Sequence, residues 1–506
     1  MKESNFERSS RILQRCTFGP SIDDIKQFEK FDSIEEWVYN QANKPVSNWL
    51  KIYERIEKLE SNPAPVQCFA SSWTEMTMIG SDNVDALRQR IAYVLSELFV
   101  VSVQDPALQA GARRRYLCQY YDGLALNALG NFRDLLKWVS TSPIMGEYLT
   151  FIDNVSNEEH APDENYAREL LQLFTLGPSK LNGDGTIDHD ASNHPIPAYT
   201  QTDIEELARV FTGWTFDSRG SGLDRYAYPL EVNESNHDKG EKVILAKRFP
   251  ANVDAEDELD AVIEHLMSQA NLYTFIAKFF ITKLVTSNPR PAYIRRVRNA
   301  FKNADGDMTA LIIAILTDQT ALNSGDTDGK VRDPMCVFVH GMRALKTELN
   351  RGEKMWPSPF NWFDRLMPMS GPSVFYYYQP DDSPNTPEFN DLDAPEFNVY
   401  TWQDIYHYGH IYRNLLTIQK EQDREWFIDS EYFKLFLTKN EDGSWDDEAL
   451  VDYLNTQLFA GRLSQHAQNA FYEFLSHCVN RRETSFNDIR NLIMHALLSP
   501  DFVIQD

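Results

Sequence analysis

Apolar residues recur at three- and four-residue spacings along most of this chain, which is the signature of amphipathic helices. The pattern predicts helices over 87–101, 121–139, 165–176, 204–211, 261–267, 275–285 and 308–316. Some helix starts are marked as well. Thr202 with Glu205 three residues later reads as a capping box, and Asp307 is placed to cap the helix that follows it. Strand-like alternation is confined to 242–245 and 373–378, so any sheet is small.

Three stretches break the helical rhythm. Residues 178–199 and 214–250, rich in Asn, Asp, Gly and Pro, read as long loops, and 351–400 hold eight of the 24 prolines. Helical patterning resumes at Trp402 and runs to Leu498. The expected fold is mainly α, a large multi-helix core with long ordered loops and little or no sheet. It divides into a helical core over 1–350 carrying the candidate site, a Pro-rich aromatic irregular segment over 351–400, and a helical C-terminal unit over 401–506 packed on the core.

Composition narrows the class. The chain has 506 residues, 42% of them hydrophobic, enough for a large packed core in one helical domain or several. Its 30 Phe, 23 Tyr and 10 Trp exclude a disordered chain. The net charge of −26 repels polyanions, so nucleic acid is not an expected partner. The runs Arg113-Arg114-Arg115 and Arg295-Arg296 with Arg298 read instead as surface or intramolecular pairs. Cys16, Cys68, Cys118, Cys336 and Cys478 are widely spaced and odd in number, which points to buried free thiols. No membrane span is expected, because the best apolar run, 95–103, is short and interrupted by Glu97.

Standard catalytic signatures are absent: there is no HExxH, GxSxG, Walker loop or GxGxxG. The turn 325–330 is too short and acidic to cradle phosphate, and 182–185, 303–307 and 440–443 lack the ligand spacing of a calcium loop.

The most informative segment is 163–177, a helix that Asp163 can cap and Gly177 can end. Glu164 and Arg168 are spaced to pair. Asn165, Glu169 and Gln172 form a second polar stripe, and Leu170, Leu173 and Phe174 face a core. The next helix carries Glu205 and Arg209 four apart, before Phe211-Thr212-Gly213-Trp214 and then Asn236-His237-Asp238. Carboxylates on two facing helices with a His-Asp pair nearby suit a divalent metal or acid–base chemistry, and equally a buried ion-pair network.

These segments carry a family resemblance. Arg15-Cys16-Thr17-Phe18-Gly19-Pro20, Leu87-Arg88-Gln89-Arg90-Ile91-Ala92, Leu129-Gly130-Asn131-Phe132, the 163–177 helix and Asp184-Gly185-Thr186 run in order. Tyr199-Thr200-Gln201-Thr202-Asp203, the 211–214 and 237–242 segments, Leu284-Val285-Thr286-Ser287-Asn288-Pro289, Ala394-Pro395-Glu396-Phe397 and Ser499-Pro500-Asp501-Phe502 complete the set. Together they resemble the bacterial domain-of-unknown-function family numbered eighteen hundred, over nearly the whole chain. The resemblance implies a largely helical protein, typically exported and encoded beside a phosphatase- or sulfatase-like partner. Two features depart from the family pattern. Gln269-Ala270-Asn271 stands where a His-Pro-Asn element is usual. The first residues also lack the apolar stretch of a signal peptide, so a mature or trimmed form, or a cytoplasmic member, is expected.

Other candidates read as structural. His407 and His410 lack carboxylate neighbours, Phe375-Tyr376-Tyr377-Tyr378 suits packing of its own segment, and His160, Asp188, His189, Asp190 and His194 suit a solvated loop. Two function classes remain. One is a metal-assisted or acid–base hydrolase of an extracytoplasmic polymer or its ester groups. In it Glu164 and Glu169 act as general base or metal ligand, Arg168 positions an anionic group, and His237 and Asp238 ligate or orient. The other is a non-catalytic helical scaffold or binding protein for the phosphatase-like partner.

Overall fold

The computed structural model describes residues 4–505 other than 60–63, 79–84, 110–112, 157–160, 324–328, 346–347, 350–365, 372, 374–375, 380–381, 384–391, 416–425, 428–430 and 479–480. Helices dominate. The strands described are two or three residues long and pair antiparallel in twos: Trp214–Thr215 with Glu231–Val232, Lys242–Ile244 with Lys247–Phe249, Lys330–Val331 with Ile504–Gln505, and Glu348–Leu349 with Trp426–Phe427. The pair formed by Lys330–Val331 joins the end of the chain to the middle of it.

Three helices are buried along most of their length: Ala86–Leu98, Ala270–Leu284 and Pro334–Ala344. Each is buried around most of its circumference, and Ala86–Leu98 takes Arg88, Gln89 and Arg90 inside with it. The last starts cleanly, with Pro334 at its first position and Asp333 Oδ1 accepting from the amides of Met335 (2.7 Å) and Cys336 (3.4 Å). Polar residues within this core have a common task. Arg11 donates to the carbonyl of Leu322, Arg15 to that of Ala321, and Arg88 to those of Ala42 and Ala125. Buried guanidinium groups thus bond carbonyls near helix ends, where intrahelical donors run out.

The five cysteines are free and buried, as their spacing suggests. The basic runs are used internally: Arg115 pairs with Glu54, Arg295 with Asp184 and Arg296 with Asp318. Among the described residues no helix is long and apolar enough to cross a membrane.

Several local expectations need correction. The capping box belongs to Thr200 and Asp203, not Thr202 and Glu205: Thr200 Oγ1 accepts from the Asp203 amide and Asp203 Oδ2 from that of Thr200, so the helix Gln201–Val210 begins earlier. Residues 373–378 form no strand where described, since the Tyr376 amide closes a turn on Ser373. The 163–177 segment is not one regular helix. Asn165–Glu169 is α-helical, and Leu170–Thr175 widens into a π turn in which the Leu176 amide donates to Leu171, five residues back (3.0 Å). His160, Phe375, Pro380, Asp381 and 325–328 lie outside the described residues.

Candidate functional site

Helix Asn165–Glu169 packs against helix Gln201–Val210, a meeting that the sequence alone does not establish. Arg168 Nη2 and Gln201 Nε2 both donate to Glu164 Oε2, at 2.7 and 2.9 Å. The Glu164–Arg168 pair is partly exposed, so its contribution is about 0.5 kcal/mol. Glu169 stands apart from it. Its Oε2 is buried without a hydrogen-bond partner, and burial raises its pKa against the pull of Arg168.

His237 and Asp238 meet the other end of the same helix. Arg209 grips both Asp238 oxygens, Nε to Oδ2 at 2.8 Å and Nη2 to Oδ1 at 3.0 Å, and holds that carboxyl well below the usual range. Arg209 also pairs with Glu206 rather than with Glu205. The His237 side chain has no exposed surface. Its Nδ1 lies 3.1 Å from the Thr212 carbonyl and its Nε2 3.3 Å from Glu258 Oε2, while Lys242 Nζ sits 2.9 Å from that same oxygen. Gly213 makes this seat possible. It holds φ at +81°, and a Cβ there would lie 2.9 Å from the His237 amide nitrogen.

From Gln201 to Arg209 is eight residues, or about 12 Å of helix rise. The structure therefore does not bring Glu164, Arg168 and Glu169 together with His237 and Asp238, whose polar atoms face Thr212, Glu258 and Arg209. Among the described residues no three His, Cys, Asp or Glu side chains gather as a set of metal ligands. Asp188, His189, Asp190 and His194 lie on an exposed loop, and His194 Nδ1 faces Asp190 at 3.6 Å.

A different cluster occupies the centre of the molecule. Tyr93 and Glu97 on helix Ala86–Leu98, Lys283 on helix Ala270–Leu284, and Leu366, Met367, Met369 and Tyr376 to Tyr378 line an open cleft. Tyr93, Glu97 and Lys283 are also walls of a narrower inner cavity with room for about one water, whose other charged walls are Arg90, Lys330, Arg332, Asp333 and Glu396. The irregular segment is fixed over the cleft by the Met369 carbonyl, which accepts from the Val103 amide (2.9 Å), and by the Ser370 carbonyl, which accepts from Gln104 Nε2 (2.7 Å). Asn288 and Asp393 exchange two hydrogen bonds, 2.8 and 2.9 Å, which seats Glu396 beside Lys330.

Charges inside are closely matched. Glu97 Oε2 lies 3.4 Å from Lys283 Nζ, Glu396 pairs with Lys330, and Asp333 Oδ2 accepts from the Tyr378 hydroxyl. Burial raises the Glu97 pKa, with Lys283 opposing, and lowers that of Lys330. Burial also pushes the Cys336 thiol up to about 12, so it stays protonated at neutral pH and is no nucleophile. Arg332 is pushed down to about 10 by burial and bonds His340 Nδ1 (3.0 Å) and the Phe502 carbonyl.

Sequence reasoning passed over this cluster, although signals existed. Glu97 interrupts the most apolar run of the chain, and Arg90 and Glu396 fall inside segments that carry the family resemblance. The fold brings the 87–92 and 394–397 segments to the same cavity.

A largely helical protein with a charge-lined cleft in its core is the class that this fold and site define. The chain matches the model of a family described as protein of unknown function (DUF1800) over residues 11–504, and it belongs to that family. No curated protein and no solved structure matches it.

Proposed function

We propose that this protein is an acid–base hydrolase whose site is the central cleft, acting on an extracytoplasmic polymer or its ester groups. The observation that carries this reading is the Glu97–Lys283 pair on the wall shared by the open cleft and the buried charges. A carboxyl whose pKa burial has raised is suited to exchange protons near neutral pH. In this reading the Glu97 carboxylate takes a proton from the attacking water as the water oxygen bonds to the acyl carbon. Lys283 faces the oxyanion that forms, and Glu97 returns the proton to the leaving alcohol as the ester bond breaks. The polymer and its location rest on the exported habit of the family.

The test is a panel of ester, glycoside, peptide and phosphate- or sulfate-ester substrates offered to the purified wild type and to Glu97→Gln. An activity that falls about 100-fold or more in a variant with unchanged melting supports the reading. An activity indifferent to the substitution removes it.

A non-catalytic scaffold for a phosphatase- or sulfatase-like partner is the second reading. It is favoured by the internal matching of Lys330 with Glu396 and of Tyr378 with Asp333. On that reading Glu97→Gln weakens the fold and no substrate is turned over.

A further inference from the structure

We infer that the inner cavity behind the cleft is an oxyanion site, in which Arg90 binds one oxygen of a carboxylate, sulfate or phosphate group of the substrate. The residue is 7% exposed, yet it has no carboxylate within ion-pair distance among the described residues. Its one hydrogen bond runs from Nη2 to the Lys283 carbonyl at 3.2 Å, and its guanidinium lies 5.4 Å from the centre of the Tyr93 ring. Nε and Nη1 are buried without partners, and Arg90 is the one described side chain with two such atoms. Arg88, two residues earlier, shows the contrast: three carbonyls and Asp85 surround it.

The acids around the cavity are already committed. Glu97 faces Lys283, Asp333 accepts from Tyr378 and caps its helix, and Glu396 holds Lys330. Four cations line the space against three carboxylates, so the uncompensated charge is positive and Arg90 carries its unpaired donors. A buried guanidinium in that state is completed by an anion, because donor N–H groups and charge are then satisfied together. The cavity as a whole has room for about one water-sized group, which suits a single oxygen of an oxyanion reaching in from the cleft. This inference rests on the cleft being the substrate site, and it adds that the substrate is negatively charged close to the bond that is broken.

Binding is measured without turnover. Acetate, sulfate and phosphate are titrated separately into the full chain by calorimetry, at an ionic strength held constant with sodium chloride. Saturable binding of at least one of them, at one equivalent, is expected, and the one that binds tells a carboxylate site from a sulfate or phosphate site. Arg90→Gln should weaken it about 30-fold or more, while Arg248→Gln, on the surface, leaves it unchanged. Should Arg90→Gln fail to fold, Glu97→Gln decides. Removing the carboxylate across the cavity should tighten anion binding severalfold, and unchanged affinity there overturns the proposal. So does an absence of saturable binding up to about 0.1 M, or binding indifferent to Arg90, which marks an adventitious surface site. Anion binding without hydrolysis of any substrate removes the hydrolase reading and keeps the site. Hydrolysis without anion binding does the reverse.

Discussion

Lys283 ties two central helices together from both ends of its residue: its carbonyl accepts from Arg90 at 3.2 Å, and its ammonium lies 3.4 Å from Glu97 Oε2. The arginine and the glutamate are seven residues, about two turns, apart on helix Ala86–Leu98. Loss of the Lys283 charge therefore acts on Glu97 directly. Lys283 opposes the rise that burial imposes on the Glu97 pKa. If Glu97 acts as a base, kcat/KM rises with pH through its pKa, and Lys283→Gln should move that limb to higher pH. A pH–rate profile checks this, and a limb that stays in place counts against the pairing.

Asp122 supplies a second pH effect, in stability. It accepts from the amides of Trp49 (2.6 Å) and Leu50 (2.9 Å), and burial pushes its pKa up to about 7. A folded-state pKa above the unfolded value means that native protein holds the proton longer. Stability from this group is full below about pH 4 and is lost as pH rises to about 7, by at most about 4 kcal/mol. Denaturant melts between these pH values should show the decline in the wild type and a flatter profile in Asp122→Asn.

The His237 network should behave as structure. Glu258→Gln leaves the buried ammonium of Lys242 without its counter-ion, at a cost of about 3–5 kcal/mol. Chelator treatment of the wild type should leave the melting temperature where it was, because the Asp238 oxygens are held by Arg209 and the His237 nitrogens face Thr212 and Glu258. Metal recovered at one equivalent and lost in His237→Ala would contradict this.

Glu169 differs in kind. Its partly buried carboxylate leaves Oε2 unpaired, and Arg168 is already engaged by Glu164. Glu169→Gln strands no partner, so its stability at neutral pH should stay within about 0.5 kcal/mol of the wild type or rise slightly. Thermal melts of the two proteins side by side check this. A loss of several kcal/mol would place Glu169 in an ion-pair network after all.

Periodicity made the helical fold legible because the helices bury one apolar face or all faces, and Asp307 caps Met308–Thr317 as its position suggests. The π turn at Leu170–Thr175 left no trace in the spacing, since one extra residue per turn barely shifts a short apolar stripe. Site reading favoured polar residues close in sequence, such as 164–169 and 237–238. The central cleft is assembled from residues as far apart as Arg90, Lys283 and Glu396, and no local pattern reports such a meeting. What did report it was a charge in the wrong place, Glu97 within an otherwise apolar run.

The most direct measurement compares Glu97→Gln with Glu169→Gln on whichever substrate the wild type turns over, with melting curves for both. The account predicts that Glu97→Gln loses about 100-fold or more in kcat while remaining folded, and that Glu169→Gln keeps wild-type turnover. Turnover surviving in Glu97→Gln and vanishing in Glu169→Gln would contradict the assignment and return the chemistry to the 165–175 helix.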